Sequence, residues 1–84
     1  MSKTELFENI QKETIYIELL NEGTSVWRPT SALRVGPCTY VVLPTPNYHP
    51  ADEEWQFPPG SVVVGRMQTK SGREVLVATS RADT

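Results

Sequence analysis

The chain has 84 residues, a formal charge of −2, 38% hydrophobic residues and a single cysteine. That length holds one small core without a deep enclosed cleft, so any site is expected on the surface. The mild negative charge gives no overall attraction to a nucleic-acid backbone or an anionic membrane, and a lone Cys38 excludes an internal disulfide and the paired-thiolate zinc spacings, which points to a reducing, cytoplasmic compartment.

Residues 2 to 11 place Leu6, Phe7 and Ile10 at helical spacing among charges, with Ser2 and Glu5 in the positions of a capping box. A helix this short orders only by docking, so the segment is read as a helix or a tail. No apolar run approaches the ~20 residues that span a bilayer, and the first residues lack a signal-peptide core, so neither anchor nor membrane partner is expected.

From Glu13 the period becomes two. Ile15, Ile17 and Leu19 share one face and Thr14, Tyr16 and Glu18 the other, which predicts a half-buried first strand. Asn21-Glu-Gly23 supplies turn chemistry, and Thr24 to Arg28 resume the extended pattern. Pro29 lacks an N–H and predicts an edge, bulge or bend, after which Ser31 to Val35 continue with Leu33 and Val35 inward. Gly36-Pro37 turns the chain into a strand from Cys38 to Leu43, in which Tyr40 and Val42 share one face and Val41 and Leu43 the other.

Residues 44 to 54 form a loop with three prolines and the acid run Asp52-Glu-Glu54, too long for a hairpin turn and pinned by Tyr48, Trp55 and Phe57. Pro58-Pro-Gly60 then makes a corner into a strand from Ser61 to Gln68, with Gly60 expected in a turn. Thr69-Lys-Ser-Gly72 joins it to a last strand, Arg73 to Ser80, and residues 81 to 84 read as a tail.

Five short strands at this spacing predict a single all-β domain, a five-stranded antiparallel small barrel of SH3-like type over residues 13 to 80. Gly23-Thr-Ser-Val-Trp-Arg-Pro29 together with Trp55-Gln-Phe-Pro-Pro-Gly-Ser-Val62 resembles a group of small uncharacterised bacterial proteins with an SH3-like barrel. The resemblance spans about residues 13 to 78 and implies that fold, while it carries no activity, cofactor or partner.

Catalysis has little to draw on. Nucleophilic chemistry needs a base beside the nucleophile, and Cys38 with His49 is the single candidate pair in the sequence; a cysteine opening a strand is more often a small buried hydrophobe. His49 with Asp52, Glu53 and Glu54 has the composition of a metal site, but consecutive carboxylates point to alternate sides, so neither metal nor cofactor is expected. The chain is therefore read as non-enzymatic.

Two binding surfaces remain. Trp27, Arg28, Tyr48 and Trp55 are the residue types that dominate protein-binding hot spots, and they make another protein the expected partner, with the chain a monomer or small homo-oligomer. In this reading Trp27 and Tyr48 form a half-exposed recess rimmed by Arg28, Trp55 and Phe57 lie buried beneath it, and Arg28 pairs with the acid run. Arg66, Lys70 and Arg73 give the last hairpin a local basic character suited to nucleic acid, but no aromatic of its own on which bases stack, so this is the alternative.

Overall fold

The computed structural model describes residues 11–82, so the reading of residues 2 to 11 as a helix falls almost wholly outside them. Five strands, β1 (Lys12–Leu19), β2 (Val26–Arg34), β3 (Thr39–Val42), β4 (Val62–Lys70) and β5 (Arg73–Arg81), close into a barrel in sequence order. Four neighbouring pairs are antiparallel. The closure between β1 and β5 is parallel, through Tyr16 and Val77, which corrects the expectation of a wholly antiparallel sheet. That closure rests on one registered pair, and β1 and β5 pack against each other beside it.

The core follows from alternation. Ile15, Ile17 and Leu19 of β1 meet Ala32, Tyr40, Val42, Val63 and Ala78, and Trp55 with Phe57 from the long loop completes the cluster. Burial holds the Tyr40 phenol above its ordinary pKa of 10.0, with Glu13 adding to the effect. The ring lies against Gly65, where a Cβ would come within 2.7 Å of Tyr40 Cε1 and 3.0 Å of Leu76 Cδ1. A bulge between Val64 and Gly65 accompanies this close approach.

β2 takes the edge alternative expected for Pro29, with no bend, and departs from expectation in which residues face inward, both traceable to its pairing. It runs unbroken through Pro29, which lies opposite Tyr16. The Arg34 N–H donates to the Gln11 carbonyl at 2.9 Å, and stepping along the ladder from there puts Pro29 at a position whose nitrogen points away from β1. β3 pairs with β2 only at residues 32 to 34, so the missing N–H costs no ladder bond. The same register puts Thr30 and Ala32 inward in place of Leu33 and Val35; Val35 is 58% exposed. The buried Thr30 hydroxyl donates to the Leu43 carbonyl at 2.6 Å, which satisfies it.

The turns use the chemistry of their residues. Asn21 and Gly23 have positive φ between β1 and β2, Ser71 and Gly72 do so in the two-residue β4–β5 hairpin, and Gly60, at φ 93°, makes the corner before β4. β3 is shorter than expected, beginning at Thr39, and Cys38 before it is exposed, not a buried hydrophobe. β5 extends to Arg81, so the expected tail is in part strand. Among the described residues no helix is long and apolar enough to cross a membrane.

Candidate functional site

The long loop is fastened at the barrel end by its backbone and by one carboxylate. Leu20 N–H donates to the Glu54 carbonyl at 2.7 Å and Gln56 N–H to that of Glu18 at 2.9 Å, so residues 54 to 56 extend the sheet beside β1. Arg28 pairs with Ile17 across the ladder and so shares its face of the sheet, but at the end of the barrel, where its part-exposed guanidinium forms a two-point ion pair with Glu53. The Trp55 indole N–H donates to the same carboxylate at 2.9 Å. These bonds, Trp55 first and Arg28 second, hold the Glu53 carboxyl below its ordinary value.

Arg28 therefore meets the acid run, as expected, and Trp55 and Phe57 are buried at 4% and 6% exposure. Tyr48 is half-buried and sets its ring edge-on to Trp55, with centroids 4.7 Å apart. A shallow recess does lie here, lined by Arg28, Pro29, Thr45, Asn47 and Glu53. Trp27 is not part of that lining. It pairs with Glu18, on the opposite face of the sheet from Arg28, so the expected recess between Trp27 and Tyr48 does not assemble around those two side chains.

Trp27 belongs to a second surface, the outer face of β4, β5, β1 and β2. Tyr16 and Val77 share this face through the parallel pair, and the β4–β5 register adds Val75, Arg66, Gln68, Lys70 and Arg73. The hairpin tip reaches across it. Lys70 Nζ lies 4.0 Å from the centroid of the Trp27 ring, and Tyr16, Lys70, Ser71, Arg73 and Val75 line a shallow groove between the tip and β1. Val77 is 1% exposed yet stands outside the central cluster, so the outer face has an apolar floor of its own.

This surface unites two sets of residues that looked separate in the sequence. The hairpin carries Arg66, Lys70 and Arg73 without an aromatic, while β1 and β2 carry Tyr16 and Trp27; closure of the barrel puts them side by side. Lys12, exposed and on the same face of β1, adds a further cation, against Glu18 as the one acid of these strands on that face. Among the described residues none of these four cations is in an ion pair. Tyr16, which lines this groove, was not among the candidate residues of the sequence, although its period-two position placed it outward. What was missing was the neighbour on its far side, which the parallel closure alone supplies.

The other candidates stay apart. Cys38 gives its carbonyl to Gly65 N–H at 2.8 Å at the start of β3, while His49 Nδ1 accepts from Ala51 N–H at 3.3 Å within the loop. No hydrogen bond among the described residues joins Cys38 to His49, and no group of three metal-ligating side chains occurs among them. No family model, curated protein or solved structure matches the chain.

Proposed function

We propose that the chain is a non-enzymatic binding module, a cytoplasmic SH3-like barrel that takes a polyanionic partner on the outer face of β4, β5, β1 and β2. The observation that carries this reading is the Lys70 ammonium standing 4.0 Å over the Trp27 ring. It brings an indole, a phenol and the cations of the hairpin onto one surface, the combination in which charge attracts an anionic chain and aromatic faces hold the groups it bears. An acidic segment of another protein and a nucleic-acid strand share that chemistry. The overall charge of −2 does not oppose it, because Arg66, Lys70 and Arg73 are clustered while Glu53 is engaged elsewhere.

A second reading puts a protein partner on the recess beside the long loop, favoured by the 41% exposure of the Arg28 side chain there. Its polar handles are largely in use, since Glu53 holds both Arg28 and Trp55. The two readings separate by titration with inorganic polyphosphate at low salt. Binding that weakens steeply with salt, and that a Lys70→Glu, Arg73→Glu variant loses while Arg28→Gln retains it, is expected. No polyphosphate binding at low salt would remove the outer-face reading.

A further inference from the structure

We infer that the polyanion of the outer face is a single-stranded nucleic acid, and that Lys70 is a placeholder on the Trp27 ring which a base displaces. This rests on the binding reading above and names its ligand. Tyr16 lies opposite Pro29 and Trp27 opposite Glu18, so the two rings are diagonal neighbours on adjoining strands. Diagonal sheet positions are about 7–8 Å apart, close enough for bases of one strand to reach both. Stacking needs an open π-face, which unpaired bases offer and a duplex hides. A glutamate-rich peptide would use the cations, but its side chains have no flat face to stack on the two rings.

Lys70 supplies the exchange. In the unliganded barrel its ammonium covers the indole, which keeps a half-exposed tryptophan from standing bare to water. A base that stacks on the same ring makes the stronger contact, and the displaced ammonium moves to the adjoining phosphate. Arg73 at the hairpin tip and Arg66 farther along β4 lie on the same face to receive further phosphates, so the strand runs along the hairpin while its bases turn toward β1 and β2. Stacking is sequence-tolerant, and the site is expected to favour flexible pyrimidine runs over any one sequence.

The test is titration of the full chain with a short oligothymidylate, read by indole emission and by anisotropy of a labelled strand. The same measurement is made with an abasic strand of equal length, a duplex and a glutamate-rich peptide. The oligothymidylate is expected to quench the emission, and its log K to fall with log salt at a slope of about −2, the value for three phosphate contacts in a single strand. Trp27→Leu should abolish most of the quenching and weaken binding roughly tenfold, with the abasic strand weakened to a similar degree. Lys70→Gln should flatten the slope by about 0.7. Equal binding of the abasic strand or the peptide, or tighter binding of the duplex, overturns the inference and leaves the polyanion reading standing. Failure of every polyanion, polyphosphate included, at low salt removes both.

Discussion

Trp55 and Trp27 sit on opposite faces of the same barrel, and they differ most in what their neighbours leave undone. Around Trp55 every interaction is closed: the ring is in the core, Tyr48 meets its face, and its N–H and the Arg28 guanidinium share the Glu53 carboxylate. No buried side-chain polar atom among the described residues lacks a partner. Around Trp27 the ring is half-buried between Glu18 across the ladder and the flexible end of Lys70, and among the described residues Arg66 and Arg73 are in no ion pair. Saturated contacts stabilise a fold, while unsaturated ones on an exposed face can exchange for a ligand. On the proposed reading the two tryptophans are a structural and a binding use of one side chain.

That comparison breaks first at the core. Trp55→Ala removes a large buried aromatic and one of the donors to the Glu53 carboxylate, and a loss of about 3–5 kcal/mol is expected by urea titration. In so small a domain this approaches the whole stability. Trp55→Phe, which keeps most of the packing and loses only the indole N–H, should cost distinctly less. If Trp55→Ala is tolerated within about 0.5 kcal/mol, a figure typical of exposed sites, then the loop is not fastened as described.

Gly65→Ala comes next. A glycine in a strand is ordinarily improved by alanine, by about 0.4–1 kcal/mol, because the unfolded chain loses freedom. Here the new Cβ meets the Tyr40 ring at 2.7 Å, so the sign should reverse to a loss of about 1–3 kcal/mol from overpacking. Pairing the change with Tyr40→Leu should recover part of that loss, as contact between the two sites requires. A stabilised Gly65→Ala protein would mean that the ring can move aside.

Much of this core was legible in the sequence because period two is a local signal. Ile15, Ile17 and Leu19, Tyr40 and Val42, the positive φ of Gly60 and the meeting of Arg28 with the acid run all follow from neighbours along the chain or from complementary charge. What was not legible depends on register. Leu33 and Ala32 are adjacent apolar residues, and only pairing with β1 selects Ala32 for the interior; Pro29 looks like an interruption until the direction of its nitrogen is known. The outer face depends on register twice over, since Trp27 meets Lys70 only after β5 closes on β1 in parallel. A single bridge between strands far apart in sequence leaves no periodicity to read.

A smaller effect is expected from pH. Glu53 has a folded pKa below its ordinary 4.5, so the unfolded chain takes up its proton first as pH falls. The stabilisation is fully present above 4.5 and is lost progressively as pH drops through the folded value. The stability difference between the parent and Glu53→Gln should therefore be flat near neutrality and shrink below pH 4.5. A difference that does not change with pH would show that the carboxylate charge is not what joins Arg28 and Trp55.

The smallest expected change in stability is the one that decides between the two tryptophans. Trp27→Ala should cost only about 1 kcal/mol, because the ring is half-buried and an exposed cation–π contact is worth about 0.5–1 kcal/mol. A double-mutant cycle with Lys70→Ala should return a coupling of that same size, since the ammonium and the ring touch each other. The cycle needs no ligand, so it tests the geometry of the outer face independently of any partner. A cost of several kcal/mol with no coupling to Lys70 would place Trp27 in a core beneath the hairpin, alongside Val77, and the face would then be a lid over that core. A small cost with clear coupling leaves an indole that the fold does not require, held in place by a lysine that can leave.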